Sequence, residues 1–355
     1  MESEHKKKVI IFIATPLELE EVKRIRAVNP KRIEVIYDPD LLPPTRYIAD
    51  HNGVKNFVLD PSKEKRWKNN IARAEILWDF PPVTSDGVEG ITFAKNLKWI
   101  QATSSGIGQR VKYLGLENSD ILITTARGVH AGPLTEFVFL CLLSYVRRLS
   151  HLQAEQKKHR WERFCGYDLE GKTLSIIGIG AVGRKIASVG RAFGMQVVAL
   201  SRKQNLQSAK ELGVDFVYPE EKLHQMLSAT DALVLSVPHT ITTKNLIDAQ
   251  AFDALKPGAL FVNIARGQVV DENALIQALQ SRRIAFAGLD VFTVEPLPQD
   301  SPLWDMPNVL ISPHSSSTST SENRNISDIF CHNLRCYLDG KHEEMRNLFD
   351  KTRMY

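Results

Sequence analysis

The stretch that decides the fold is residues 174–183, which read LSIIGIGAVG. An apolar strand pattern leads into glycines at Gly178, Gly180 and Gly183, and a helical pattern follows over 182–193. A strand, a G-x-G-x-x-G turn and a helix in succession are typical of a dinucleotide-binding unit. Gly178 would make the tight turn, Gly180 would let the backbone approach the pyrophosphate, and Gly183 would let helix and strand pack closely.

Short apolar runs alternate with amphipathic stretches along most of the chain. The runs lack an apolar–polar alternation, which is typical of parallel strands covered on both faces. We therefore predict an α/β protein built from doubly wound β-α-β units. The predicted strands are 9–13, 33–36, 76–78, 99–102, 121–124, 174–177, 197–200, 216–218, 233–237, 260–263, 285–289 and 309–311.

Composition limits the function classes. The chain has 355 residues, enough for about two domains. Hydrophobic residues make up 43% and charged residues 24%, as in a soluble globular protein. The net charge of +4 is too small to indicate a nucleic-acid partner. Four cysteines form neither a disulfide scaffold nor a zinc-site spacing, so we expect no metal and a reducing, cytoplasmic compartment.

Two apolar segments resemble a signal peptide or a membrane span at first sight, but we expect neither to associate with a membrane. Residues 9–14 follow three lysines but are too short for a signal peptide, so a first strand is the better interpretation. Residues 134–146 are too short to span a bilayer and contain Glu136. We interpret this second segment as a buried or partner-facing helix.

The residues after the second strand of the dinucleotide unit bear on cofactor choice. A site that prefers NAD(H) usually has an acid about 20 residues after the glycine turn, to bind the ribose 2′-hydroxyl. Ser201 stands there instead, and Arg202 and Lys203 follow it. A hydroxyl and two cations would attract a 2′-phosphate. The sequence therefore favours NADP(H) over NAD(H); the alternative is that both cations are ordinary solvated charges.

Arg266, Glu295 and His314 each follow one of the last three predicted strands. Open α/β sheets bind ligands at the C-terminal ends of their strands. Arginine can hold a carboxylate in bidentate fashion and polarise a ketone. Histidine can donate a proton to the ketone oxygen, and a neighbouring glutamate favours the protonated ring and orients it. Together the three residues predict the reduction of a 2-oxo acid.

The order of these motifs resembles that of the D-isomer-specific 2-hydroxyacid dehydrogenase family. The similarity runs from Ala102 onward, whereas residues 1–100 match only in the rhythm of their strands. It is carried by four segments, 178–183, 263–267, 288–297 and 312–314.

The resemblance implies a role for individual residues. Arg266, Glu295 and His314 match the family's catalytic triad, and Asp290 matches the acid that holds the nicotinamide carboxamide. Val237 and Pro238 match the segment beside the adenosine. With the glycines and residues 201–203, the implied cofactor contacts are Ala181, Val182, Val237, Pro238, Thr243, Ile264, Ala265 and Asp290.

In such enzymes, backbone amides of a glycine-containing loop bind the substrate carboxylate. The matching loop is 103–108, TSSGIG, in which Gly108 stands where the family often has an acid. Ser315 to Ser317 stand where many members have Gly or Ala, which would make the nicotinamide side more polar. The implied substrate contacts are Ser105, Gly106, Ile107, Arg266 and His314.

The resemblance also implies two Rossmann-like domains, one inserted in the other. A flavodoxin-like substrate domain would comprise 1–127 and 316–355, and the cofactor domain would comprise 128–315. A helix over 328–338 would return to the first domain. The long helix from Gly132 would support a homodimer.

The leading interpretation is an NADP(H)-dependent reductase of a small 2-oxo acid, with glyoxylate and hydroxypyruvate as candidate substrates. A dinucleotide-sensing binding protein, similar to the corepressors that resemble these dehydrogenases, is the alternative from another class, because such proteins can retain the triad. A related oxidoreductase acting on formate or phosphonate fits less well, since formate oxidation offers the Glu–His pair no carbinol proton to move.

Overall fold

The structure is a computed structural model that describes residues 7–201 and 206–354. Its strands are β1 (Val9–Ile13), β2 (Ile33–Ile36), β3 (Ile76–Trp78), β4 (Trp99–Gln101), β5 (Leu122–Thr124), β6 (Thr173–Ile177), β7 (Gln196–Leu200), β8 (Phe216–Tyr218), β9 (Ala232–Leu235), β10 (Ala259–Asn263), β11 (Ile284–Leu289) and β12 (Val309–Ile311). Its helices are α1 (Leu19–Ala27), α2 (Pro61–Arg73), α3 (Gly108–Tyr113), α4 (Ala131–Val146), α5 (Leu149–Lys157), α6 (Ala181–Ala192), α7 (Leu206–Leu212), α8 (Leu223–Ser228), α9 (Ala249–Ala254), α10 (Glu272–Gln280) and α11 (Glu322–Leu338).

The chain divides into two compact units. One comprises Met1–Val129 and Thr318–Tyr355, and the other comprises His130–Ser317. We call them the discontinuous unit and the inserted unit. The assignment of substrate binding to the first and cofactor binding to the second stays a prediction at this point.

The discontinuous unit contains a parallel sheet in the order β2-β1-β3-β4-β5. The strand order reverses between β1 and β3, which is the flavodoxin-like arrangement. Successive residues of β1 point to opposite faces. Ile11 and Ile13 lie in one buried cluster and Phe12 in another, so both faces of the sheet are covered.

The inserted unit contains a parallel sheet in the order β12-β11-β10-β9-β6-β7-β8. Counted from β6, this is the Rossmann order 3-2-1-4-5-6 with a seventh strand added at one edge. Buried clusters again cover both faces, with Ile177 in one cluster and Ile176 in the other. The prediction of two doubly wound parallel sheets is confirmed.

Most predicted strands lie within one residue of their expected bounds, but two elements differ by more. The strand predicted over 233–237 ends at Leu235, which is the last residue that pairs with the neighbouring strands β10 and β6. The helix predicted over 328–338 begins at Glu322. Its first turns bury polar side chains such as Glu322 and Asn323, so the apolar pattern does not reveal them.

Helix α11 completes the core of the discontinuous unit. The ring of Phe330 stacks on Trp99 at 5.0 Å between ring centroids and meets Trp78 edge-on at 5.5 Å. The indole of Trp99 also donates a hydrogen bond to Thr124 Oγ1 at 2.8 Å. These contacts explain why residues after 318 belong to the same unit as β3, β4 and β5.

The apolar run at 134–146 lies within α4. This helix buries Val138, Cys141 and Leu142, whereas Leu140 is half exposed. Across the described residues, no helix combines the length and the apolar character that crossing a membrane requires.

Candidate active site

The glycine turn connects β6 to α6 at the C-terminal edge of the inserted sheet. Gly178 has a φ of +102°, in the left-handed region that favours glycine. A Cβ atom on Gly178 would lie 2.7 Å from the backbone nitrogen of Val237. A Cβ atom on Gly183 would collide with the carbonyl oxygen of Gly178. Both positions therefore require glycine, because backbone segments approach each other closely there.

The backbone at Gly180 fits a dinucleotide pyrophosphate. Gly180 is the N-cap residue of α6, and no side chain caps this helix. A Cβ atom on Gly180 would meet no other atom within 4 Å, so this side of the turn is open. Ala181 and Val182 begin α6, and amides in a first turn have no acceptor within the helix. Such a helix N-terminus favours an anion.

The loop after β9 lies against the glycine turn. Ser236 Oγ donates a hydrogen bond to the carbonyl oxygen of Gly178 at 2.6 Å, which places Val237 beside the turn. Thr243 Oγ1 donates to the carbonyl oxygen of Pro238 at 2.7 Å and closes the loop. The structure thus connects Val237, Pro238 and Thr243 in one loop next to the glycines.

The residues expected at the cofactor ribose follow β7. Ser201 comes directly after the strand, is partly buried, and donates its backbone amide to the carbonyl oxygen of Tyr218 at 2.9 Å. Arg202 and Lys203 lie outside the described residues. The preference for NADP(H) therefore stays a prediction.

Arg266 lies in the turn that follows β10. Asn263 braces this turn, because its Oδ1 accepts the amide of Ala265 at 3.0 Å and its Nδ2 donates to the carbonyl oxygen of Arg266 at 3.3 Å. Ile264 and Ala265 are buried beneath it. The guanidinium donates to the carbonyl oxygen of Ala265 at 2.7 Å and pairs with no carboxylate of the described residues. Its other donors are available to an anionic ligand.

The turn after Arg266 packs against the turn that leads to Glu295. A Cβ atom on Gly267 would collide with the backbone of Phe292, and Gln268 Nε2 donates to the carbonyl oxygen of Thr293 at 3.0 Å. The amide of Phe292 in turn donates to Glu295 Oε1 at 3.0 Å. The two turns are therefore fixed relative to each other.

The structure brings Glu295 and His314 together. Oε2 of Glu295 lies 2.8 Å from Nδ1 of His314, and both side chains are partly exposed. With Nδ1 facing the carboxylate, Nε2 is the nitrogen that can exchange a proton with a ligand. The pair has the geometry of a general acid–base group whose ring is oriented by a carboxylate.

Asp290 holds the loop that carries His314. Its Oδ1 accepts hydrogen bonds from the hydroxyl of Ser312 at 2.6 Å and from the amides of Ser315 and Ser316, each at 3.0 Å. Its carbonyl oxygen accepts the amide of His314 at 2.9 Å. His314 has a φ of +55°, a left-handed conformation that costs about 1–2 kcal/mol for such a residue. The contacts from Asp290 offset that cost.

Asp290 itself is 2% exposed. Its charge acts on the neighbouring thiol of Cys141, whose pKa rises to about 12 mainly because the thiol is buried and further because of the carboxylate. The thiol therefore stays protonated and unreactive at neutral pH. The carboxamide contact that the resemblance assigns to Asp290 stays a prediction.

The expected carboxylate loop lies in the discontinuous unit, between β4 and α3. Ser105 and Gly106 are exposed, whereas Thr103 and Ile107 on either side are buried. Asp79, directly after β3, accepts a hydrogen bond from Thr103 Oγ1 at 2.8 Å on its Oδ2. The loop is thus an exposed tip between two fixed ends.

Our sequence reasoning assigned no role to three residues that shape these sites, Asn263, Ser312 and Asp79, although the first two lie in segments that carry the resemblance. All three lie at or just after the end of an apolar strand, and this position is a signal that could have identified them. The pairing of Ser312 with Asp290, which follows the neighbouring strand, is visible only in the structure. Within the described ranges, no group of three or more His, Cys, Asp or Glu side chains could hold a metal ion.

Comparison with known proteins adds to this geometry. Residues 139–316 match the family model described as "D-isomer specific 2-hydroxyacid dehydrogenase, NAD binding domain". A glyoxylate reductase of Korarchaeum cryptofilum is 35% identical over 242 residues, which cover 64% of this chain and 72% of the relative.

Two solved structures share the fold. A D-isomer-specific 2-hydroxyacid dehydrogenase family protein from Aeromonas salmonicida is 28% identical, with a TM-score of 0.76 over 97% of this chain and 100% of that one. A D-isomer-specific 2-hydroxyacid dehydrogenase from Xanthobacter autotrophicus, in complex with NADPH and MES, is 26% identical, with a TM-score of 0.72 over 98% of this chain and 99% of that one.

The chain belongs to the D-isomer-specific 2-hydroxyacid dehydrogenase family. It is an NAD(P)-dependent oxidoreductase of 2-oxo acids and 2-hydroxy acids, and the corresponding sequence prediction is confirmed. The individual roles of the site residues stay predictions.

Proposed function

We propose that the protein reduces a small 2-oxo acid to the D-2-hydroxy acid with NADPH, and that Arg266, Glu295 and His314 carry the reaction. The observation that supports this most strongly is the 2.8 Å pair of Glu295 Oε2 and His314 Nδ1, which leaves Nε2 as the ring nitrogen that can exchange a proton with a ligand. The guanidinium of Arg266, without a carboxylate partner among the described residues, supplies the matching cation.

Each residue has a defined task in this proposal. Arg266 binds the substrate carboxylate and stabilises the negative charge that develops on the carbonyl oxygen. His314 donates its Nε2 proton to that oxygen, while Glu295 keeps the ring oriented. The amides of Ser105, Gly106 and Ile107 bind the carboxylate. A reduced nicotinamide, when bound, supplies the hydride that the carbonyl carbon accepts.

The cofactor is proposed to lie on the C-terminal edge of the inserted sheet. The amides at Gly180, Ala181 and Val182 would hold the pyrophosphate, because this turn is open and its helix is uncapped. The loop carrying Val237, Pro238 and Thr243 would lie beside the adenosine. Ile264, Ala265 and Asp290 would contact the nicotinamide side.

Glyoxylate and hydroxypyruvate are the substrates that we propose. The relative from Korarchaeum cryptofilum is described as a glyoxylate reductase, and it shares more than a third of its aligned residues with this chain. Both compounds offer a carboxylate next to a carbonyl group, which is the pattern that an arginine fork and a proton donor recognise together.

The first prediction concerns the catalytic residues. His314→Ala should lower kcat for glyoxylate reduction by about 10²–10⁴-fold, the usual contribution of general acid catalysis. Arg266→Lys keeps the charge but loses the planar fork, so KM for glyoxylate should rise and kcat should fall. Steady-state assays that follow NADPH absorbance measure both effects.

Matched controls are the exposed residues Arg191, in the last turn of α6 and so at the opposite end of that helix from the glycine turn, and His342, which follows α11 in the discontinuous unit. His342→Ala and Arg191→Lys should behave like the unmodified enzyme. Unchanged kinetics of His314→Ala would remove this residue from the mechanism. Binding of NADPH without turnover of any 2-oxo acid would instead support the dinucleotide-sensing alternative.

The second prediction concerns cofactor choice. Charge-assisted hydrogen bonds are typically worth about 1.5–3 kcal/mol, which corresponds to roughly 10–100-fold in affinity. We therefore expect kcat/KM to be higher with NADPH than with NADH. Ser201→Asp combined with Arg202→Ala should reverse that order, because the double variant loses a cation that attracts the 2′-phosphate of NADPH and gains a carboxylate that repels it.

Lys210→Ala is the control for the double variant at Ser201 and Arg202. It also removes an exposed cation, but one that lies in α7 and not next to Ser201 in the sequence. It should leave the NADPH preference intact. A preference of the unmodified enzyme for NADH would show that the residues after β7 are ordinary solvated charges, while the catalytic assignment would stand.

The third prediction is a homodimer formed through the inserted unit. Residues 140–167 expose an unusual number of apolar side chains, and such patches mark interaction surfaces. They are Leu140, Leu149, Leu152, Trp161, Phe164 and Tyr167. Trp161 is 98% exposed, which is costly for an indole in water.

Sedimentation velocity at micromolar concentration should show a dimer. Leu152→Ser with Trp161→Ser should shift it toward monomer, whereas Tyr113→Ser, on an exposed residue of the discontinuous unit, should not. A monomeric unmodified chain at these concentrations would contradict the prediction.

A further inference from the structure

The space next to Gly108 is filled by a residue from outside its own helix. It begins α3, directly after the carboxylate loop, at the position where the family often has an acid. A Cβ atom on Gly108 would lie 2.6 Å from the carbonyl oxygen of Met354 and 3.4 Å from its Cβ. Cβ atoms essentially never approach an oxygen so closely, so the backbone of Met354 fills the space that a side chain at 108 would need.

The residues that lead to Met354 are anchored on the sheet. The amide of Thr125 donates to the carbonyl oxygen of Asn347 at 3.0 Å. The amide of Phe349 donates to the carbonyl oxygen of Ile123 at 2.8 Å. Leu348 forms an antiparallel bridge with Thr124. This run, which we call the 347–354 segment, therefore extends along the edge strand β5.

A compact turn then sets the position of Met354. Oδ1 of Asp350 accepts the amides of Thr352 at 2.9 Å and Arg353 at 3.0 Å, and the amide of Met354 donates to the carbonyl oxygen of Asp350 at 2.7 Å. Lys351 Nζ donates to the carbonyl oxygen of Ser119 at 2.6 Å. The carbonyl group of Met354, which lies next to Gly108, is thus held in place by several hydrogen bonds of the 347–354 segment.

The segment and the carboxylate loop share one apolar cluster. Ile107, which is 4% exposed, and Phe349 are both members of that cluster, and Met354 packs against the cluster. Asp79 holds the opposite end of the loop through Thr103. Between these two supports lie the exposed residues Ser105 and Gly106.

We propose that the 347–354 segment is a positioning element for the carboxylate loop, and that Gly108 is required because Met354 occupies the place of its side chain. In this proposal the segment fixes the end of the loop that presents Ile107. This inference rests on the proposed role of Ser105, Gly106 and Ile107 in carboxylate binding.

The test compares Gly108→Ala in two backgrounds, the full chain and a chain that ends at Thr352. In the full chain, Gly108→Ala should raise KM for glyoxylate by about tenfold or more, because small displacements of binding groups have large effects. KM for NADPH should change little. In the shortened chain KM for glyoxylate should already be raised, and Gly108→Ala should add nothing, since the colliding atom is gone.

Gly132→Ala serves as the control, because a Cβ there, in the first turn of α4, would meet no atom within 4 Å. Amide hydrogen exchange at Val111, whose amide donates to the carbonyl oxygen of Ile107 at 2.9 Å, provides a readout independent of activity. Faster exchange at Val111 in the shortened chain is expected, and unchanged exchange would overturn the positioning role. Equal, additive effects of Gly108→Ala in both backgrounds would overturn it as well.

The two proposals fail in distinguishable ways. If the unmodified enzyme reduces no 2-oxo acid, the proposed function fails, and the exchange experiment still decides whether the segment positions the loop. If exchange at Val111 rises in the shortened chain while KM for glyoxylate is unchanged, the segment positions the loop, and the proposed binding of the carboxylate by Ser105, Gly106 and Ile107 is overturned. The roles of His314 and Arg266 would be unaffected by that result.

Discussion

The carboxylate of Asp290 holds the loop that carries His314, and the proposed catalytic residues of the inserted unit depend on these hydrogen bonds. One buried oxygen accepts three hydrogen bonds from the loop after β12, and the carbonyl group of the same residue holds His314. His314 adopts a left-handed conformation that a histidine does not choose freely. Without Asp290 we expect the ring to lose its place next to Glu295, and with it the orientation that the proposed proton transfer requires.

The discontinuous unit uses the same device. Asp79 follows β3 as directly as Asp290 follows β11, and each accepts hydrogen bonds from the loop after the neighbouring strand. Neighbouring parallel strands end at one edge, so an acid placed just beyond one strand reaches the loop of the next. In both units this contact restrains a loop whose exposed part carries a proposed ligand-binding group.

The sequence was sufficient to predict the fold because most of the strands are short, predominantly apolar runs without an apolar–polar alternation. Strand bounds were predicted within about one residue almost everywhere, and the glycine turn and the pairing of Glu295 with His314 followed from motif order. The start of α11 was missed because Glu322 and Asn323 are polar yet buried, and only tertiary contacts explain that burial. The role of Ser312 and the use of Gly108 were equally invisible, since each depends on a residue far away along the chain.

The role of Asp290 in positioning His314 is tested most directly by measuring kcat for glyoxylate reduction by the Asp290→Ala and Asp290→Asn variants. Asparagine keeps an oxygen that can accept hydrogen bonds from the loop, whereas alanine keeps none. We expect a loss of about 10²-fold for Asp290→Ala, in line with the cost of a displaced catalytic group, and a clearly smaller loss for Asp290→Asn. An Asp290→Ala variant with the kcat of the unmodified enzyme would show that Asp290 does not position His314 for the reaction.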